Sequence, residues 1–141
     1  MSGYSKILQE TEQDLQTRIA LYKRLTSLLD GRAIFSFFTS FRFPVMIEDK
    51  DVDMLEELLS CSDCKKGIAL IINSPGGDAL AAERLIRVGR KYSGENFVAV
   101  VPRMAKSAAT MVCLGADKIL MGQTSEIGPI DPQVPIGARN M

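Results

Sequence analysis

The sequence predicts an α/β fold built on a parallel sheet, and three observations carry that expectation. Apolar runs suited to strands recur at residues 67–72 (GIALII), 96–101 (NFVAVV) and 118–121 (KILM). Amphipathic helical stretches separate them, at 78–91 and 106–114. The runs are continuously apolar rather than alternating, which means parallel strands covered on both faces. Each crossover between them is expected to be right-handed.

The elements before these runs read as follows. Residues 5–29 form a long helix in which Leu8, Leu15, Tyr22 and Leu29 recur at a spacing of seven, with Ile19 and Leu25 beside them. Asp30-Gly31 ends it, glycine being the common helix stop. The seam is narrow, and fits packing on the domain or on a neighbouring subunit. Residues 33–38 (AIFSFF) are β-branched and aromatic, a strand signal. Residues 51–59 form a short helix with Val52, Leu55, Leu58 and Leu59 on one face. The 78–91 helix turns Ala82, Leu85, Ile86 and Gly89 inward. Residues 128–141, rich in proline and glycine, read as loop, an odd place for a complete domain to stop. The expected division is an N-terminal helix (1–31) and one domain (32–141) truncated at its C-terminal side.

Composition narrows the function. The chain has 141 residues, 46% hydrophobic and 24% charged, enough for one packed core. Its 17 basic and 17 acidic residues cancel, so no electrostatic footprint points to nucleic acid or an anionic membrane. No apolar run nears the roughly 20 residues of a membrane span. The polar N-terminus lacks a signal-peptide core, so a cytoplasmic protein is expected. Three cysteines, an odd number, argue for free thiols. Cys61 and Cys64 form a C-x-x-C, open to a redox or half-zinc reading or to two unpaired thiols near a turn. With no histidine and no second cysteine pair, no metal site is expected, and no cofactor is implied.

Two turns could carry chemistry. In INSPGGDALAAERLI (72–86), Pro75 fixes the backbone leaving a strand, and Gly76-Gly77 can reach positive φ or approach a ligand. Asp78 suits an N-cap, so the glycine amides would lie where a helix dipole favours negative charge. An ordinary tight turn accounts for the same residues. In VPRMAKSAATMVCLGADKI (101–119), Ser107 falls near a helix start among Ala105, Ala108 and Ala109. That placement suits a helix cap, and equally a nucleophile exposed at a strand-to-helix turn. Parallel strands end on one edge, so both turns open onto one crevice. A serine from one and glycine amides from the other would face a common carbonyl, the layout of acyl transfer.

Three ordered blocks carry a resemblance: INSPGGDALAAERLI, VPRMAKSAATMVCLGADKILM and EIGPIDPQ (126–133). Together they resemble the Clp protease proteolytic subunit and the wider Clp/crotonase superfamily. The closer likeness, over about residues 34–133, is to the serine dehydrogenase proteinase family, related to signal peptide peptidase A. The resemblance implies a Clp/crotonase-like fold of repeated ββα units and a serine peptidase acting on peptides or proteins. It implies Ser107 as nucleophile, and an oxyanion hole formed by the Gly76-Gly77 turn and the amide of Ala108. It also implies ring-like homo-oligomers, leaving open whether an ATPase is a partner.

The general base is not evident. A Ser-His-Asp triad needs a histidine, and the chain has none. Where the Clp subunit places its histidine, near GPIDPQ, this chain offers Asp131, which also reads as a turn residue before Pro132. The signal peptide peptidase branch uses a lysine, which would fall beyond Met141. Lys106 adjoins Ser107, but successive helical side chains diverge. Lys118 begins a strand and should face solvent. AKSAAT also departs from the glycine-rich turn of the closer family, and its alanines would crowd a substrate. Two other functions fit the motifs: a crotonase-type acyl-CoA enzyme, and an inactive oligomeric scaffold or fragment of this fold.

Overall fold

The computed structural model describes the backbone of residues 3–40 and 45–131, and side chains from residue 14 onward. Helix α1 (Gly3–Leu28) leads into strand β1 (Ala33–Phe38). Helix α2 (Asp49–Ser60), strand β2 (Ile68–Asn73), helix α3 (Ala79–Ser93) and strand β3 (Phe97–Val101) follow. The short strand β4 (Met104–Ala105), helix α4 (Ala108–Gly115), strand β5 (Lys118–Met121) and short strand β6 (Glu126–Ile127) complete the order. The main sheet runs β1-β2-β3-β5, every pair parallel, as the apolar runs predict. The β4-β6 pair, two residues per strand, is too short to leave a sequence signal.

Register assigns the faces. Ile68, Leu70 and Ile72 of β2 share a side with Phe97, Ala99 and Val101 of β3. These residues join Val52, Leu55 and Leu59 of α2, Leu85 and Val88 of α3, and Val112 and Cys113 of α4 in one buried cluster. The opposite side is covered less completely. Ala69 and Val98 are buried there, but Ile71, Val100 and Leu120 stay half-exposed. The expectation of two covered faces therefore holds fully for one face only.

Element ends follow local chemistry. Asp51 Oδ2 accepts the amide of Glu48 at 2.8 Å, which starts α2 two residues earlier than the apolar pattern suggests. Leu58, expected on the inner face, is 56% exposed, since the stripe of Val52, Leu55 and Leu59 already meets the core. Asp78 caps α3 by accepting the Ala81 amide at 2.8 Å, and Gly94 ends it in the left-handed conformation. The close approach of α3 to α4 requires Gly115, where a side chain would strike Ile86. Tyr22 of α1 and Leu29, just past its end, are half-buried, while Leu15 is 52% exposed. The side chain of Leu8 lies outside the described residues, as do Phe41 and Phe43 of the phenylalanine-rich run 35–43, which was expected near subunit contacts.

Candidate active site

Both predicted turns open onto one cleft of about 580 Å³. Its walls include Met46, Pro75, Gly77, Lys106, Ser107, Ala108, Met111, Pro129 and Asp131. At its centre Ser107 occupies the N-cap position of α4 with φ 51° and ψ −122°. Such backbone is strained for a residue with a Cβ, by about 1–3 kcal/mol. It also explains why α4 begins at Ala108 rather than at Lys106. Hydrogen bonds on either side hold the strained residue. Ser107 N donates to Pro129 O at 3.0 Å, Ala109 N to Lys106 O at 3.0 Å, and Met111 N to Ser107 O at 3.2 Å.

The hydroxyl of Ser107 makes no capping bond. A serine at this position ordinarily caps the helix with its side chain. Here the backbone conformation is that of a sharp strand-to-helix turn, and the hydroxyl is left facing the cleft without a partner among the described residues.

The glycine turn lies directly against it. Gly76 and Gly77 have φ 113° and 153°. A Cβ on Gly76 would come within 2.7 Å of both Ser107 Cβ and Lys106 O, and 3.2 Å of Ala108 N. A Cβ on Gly77 would run into the backbone of Ile47. Glycine is required at both positions by space as well as by φ.

Three amides were expected to line an oxyanion hole, and the structure separates them. Gly76 N–H is directed away, donating to Ser74 Oγ at 3.0 Å. Gly77 N–H and Ala108 N–H donate to no other described group, and both residues line the cleft. Their directions are set from behind. The Gly76 carbonyl, in the same peptide plane as Gly77 N–H, accepts Ile47 N at 2.9 Å. In a trans peptide the N–H points opposite to the C=O, so Gly77 N–H points away from Ile47. Likewise the Ser107 carbonyl is engaged by Met111 N along the helix, which turns Ala108 N–H out of the helix N-terminus. Two unspent donors lining one cleft, each at the N-terminal end of a helix, suit an anionic oxygen.

The candidate bases fare differently. Lys106 Nζ is turned to Glu126 Oε2, 2.7 Å away, in an ion pair. That ammonium holds the Glu126 carboxyl below the usual carboxylate range, through their hydrogen bond and then through charge, with Arg103 a lesser influence. Asp131 stands exposed at the lip of the cleft. Lys118 is exposed on β5, as expected. None of the three donates to or accepts from Ser107.

Other residues that build the site carried weaker signals. Ile47, wholly buried, pairs with Gly77 as an isolated parallel bridge and also accepts Asp78 N at 2.9 Å. Nothing in VMIEDK announces that contact. Thr110 Oγ1 donates to Ala105 O at 2.8 Å and accepts Gly128 N at 2.9 Å, tying α4 to the segment that reaches Ser107. Ser74 accepts the amide two residues on, the pattern of a serine turn, so its sequence SPGG did hold a clue.

Away from the cleft, all three cysteines are free thiols. Burial raises the Cys64 thiol and pushes Cys113 up to about 11. Among the described residues no cluster of His, Cys, Asp or Glu is placed to hold a metal, and no helix is long and apolar enough to cross a membrane.

A parallel sheet whose turns bring a strained serine against a double-glycine turn is the architecture of a ClpP-like α/β protein. The chain belongs to the ClpP-like, SDH-type serine proteinase family, whose model matches residues 5–138. Two uncharacterized proteins of Methanocaldococcus jannaschii are similar to it. One is 34% identical over 131 residues, 92% of this chain and 42% of that protein. The other is 32% identical over 131 residues, 92% of this chain and 41% of that protein. A third protein of that organism, named as a candidate protease, is 35% identical over 80 residues, 56% of this chain and 25% of its own length. The chain therefore spans about four-tenths of the length of the first two relatives. Among solved structures, a mutant ClpP1 from Listeria monocytogenes aligns with TM-score 0.46 and 20% identity, covering 70% of this chain and 61% of that one.

Proposed function

We propose that this protein is a serine peptidase in which Ser107 is the nucleophile and the amides of Gly77 and Ala108 form the oxyanion hole. The observation that carries the reading is the unpartnered Ser107 hydroxyl at a strained φ of 51°, beside two amides that donate to no other described group. Ser107 Oγ bonds to the scissile carbonyl carbon as its proton passes to a base. The carbonyl electron pair moves onto oxygen, where the two N–H groups receive it. Collapse of that adduct breaks the C–N bond, the amine leaves with the proton, and water then hydrolyses the ester.

No described side chain is placed to take the proton. Lys106 is engaged by Glu126, and Asp131 is exposed at the lip. We therefore place the general base outside the described residues. A base beyond Met141 would leave the 141-residue chain with a poor nucleophile, and that chain alone should then hydrolyse peptides negligibly.

The test is reaction with a fluorophosphonate, followed by mapping of the adduct. The expected result is a single adduct on Ser107, faster in the full-length protein and lost in Ser107→Ala. Labelling unaffected by Ser107→Ala, or none in the full-length protein, overturns the reading and favours a non-catalytic role for the fold. Ser107-dependent proteolysis by the 141-residue chain would instead put the base within it, with Lys106 and Asp131 the first to substitute.

A further inference from the structure

We infer that Ser74 is a positioning residue whose buried hydroxyl keeps the oxyanion donors in register with Ser107. The inference rests on the peptidase reading of Ser107. Ser74 is 0% exposed at the end of β2, an unusual place for a polar side chain. Its polar groups are spent on three separate segments around the site. Its Oγ accepts Gly76 N–H at 3.0 Å and the Thr39 hydroxyl at 2.6 Å. Its N–H donates to Met104 O at 3.1 Å, and its carbonyl accepts Lys106 N at 3.0 Å. One residue thus joins the segment after β1, the double-glycine turn and the strand that leads into Ser107.

The hydroxyl matters because the turn is made of glycines. Gly76 and Gly77 have no Cβ to restrict them, so hydrogen bonds must select their conformation. Two successive peptide planes need fixing. Ser74 Oγ anchors the first through Gly76 N–H, and Ile47 N anchors the second through Gly76 O. With the first anchor removed, the plane that presents Gly77 N–H is held from one side only. Gly76 N–H would also be left buried without an acceptor. Ser74→Ala removes these two side-chain bonds and leaves both backbone bonds of residue 74 in place. It therefore separates the hydroxyl from the strand pairing. Thr39 acts through Ser74, by holding its oxygen in place.

The experiment compares the 141-residue chain with Ser74→Ala, Thr39→Ala and Thr39→Ser. Amide exchange at Gly76 and Gly77 is read against exchange within β3, and the rate of Ser107 phosphonylation is measured alongside. Loss of a buried hydrogen bond should speed exchange of the turn about tenfold relative to β3. Phosphonylation, which places an oxygen in the same hole, should slow about tenfold. Thr39→Ala should move both in the same direction and less far, and Thr39→Ser should restore them. Exchange that rises equally in the turn and in β3 would mean a general loss of stability and would overturn the inference. So would a turn that exchanges at the unaltered rate. If Ser74→Ala does not fold, the Thr39 pair decides. If the unaltered 141-residue chain takes no phosphonate, the exchange measurement alone judges Ser74, and the peptidase reading is judged separately by phosphonylation of the full-length protein, whose failure would overturn it.

Discussion

The two faces of the sheet are finished in different ways. On one, helices α2, α3 and α4 close over Leu70, Ile72, Phe97 and Val101, all at 1% exposure or less. On the other, α1 packs against β1, where Tyr22 and Ser36 share a hydrogen bond, and Ile71, Val100 and Leu120 stay half-exposed. The groove between α1 and β1 is about 750 Å³. Leu15, Ile19, Leu21 and Leu28 of α1 are 40–68% exposed. The catalytic candidates belong to the first face: Gly77 is backed by Ile47, and Ser107 leads α4, both parts of the closed core. A site that must hold amides to fractions of an ångström is built where packing over-determines the backbone. The open face has no such duty and keeps apolar surface uncovered.

The largest expected difference between the faces is in stability. Leu85→Ala removes a wholly buried side chain from α3 and should cost about 2–5 kcal/mol in chemical denaturation. Leu28→Ser, at a position 68% exposed on α1, should change it by less than about 0.5 kcal/mol. Equal losses would show that α1 is as integral to the core as α3, and would remove the contrast.

Much of the fold behind this contrast was legible in the sequence, while the contrast itself was not, and the limits are physical. The strands were readable because apolar runs bounded by turns have few alternatives, and β1 falls on the expected residues 33–38. The apolar content of a strand does not say which face is covered, so Val100 and Leu120 read like Leu70. In the site, Ser107 and the Gly76-Gly77 pair could be brought to one crevice because strand–turn–helix junctions on one sheet edge converge. The fate of each amide could not, since Gly76 and Gly77 are the same residue type. The hydroxyl of Ser74, two residues before Gly76, and the amide of Ile47, far off in sequence, tell them apart. Lys106 adjoins Ser107 in the chain, but its direction depended on Glu126, which β4-β6 pairing brings near.

A smaller effect should appear in assembly. We propose that the α1 face is where copies of the intact protein meet, because its exposed leucines and isoleucine have no cover among the described residues. Leu15→Glu with Ile19→Glu should lower self-association in sedimentation by at least about tenfold, while the denaturation midpoint stays close to that of the unaltered protein. An unaltered protein that is monomeric at micromolar concentration would remove the proposal. Assembly untouched by the double substitution would move the contact elsewhere, with the segment around the exposed Phe38 the next to test.

The smallest effect tests whether lining the closed site implies being locked by it. Lys106 lines the cleft, yet its side chain and that of its partner Glu126 are 28% and 62% exposed. Lys106 keeps the Glu126 carboxylate charged to lower pH than usual, chiefly by donating a hydrogen bond to it. A carboxyl whose folded value is depressed adds stability above its unfolded value of about 4.3, and the gain is lost as pH falls through the folded value. Lys106→Met should therefore raise the titration midpoint of Glu126, followed by carboxyl NMR, back toward that of an ordinary glutamate. Added salt should have a similar but weaker influence on the unaltered protein, because an exposed pair is screened. Thermal stability at neutral pH should hardly move in either case. A Glu126 midpoint that is the same with and without the lysine would show that the ammonium is not held there. Lys106 would then be free to turn toward Ser107, and its exclusion as a base would have to be withdrawn.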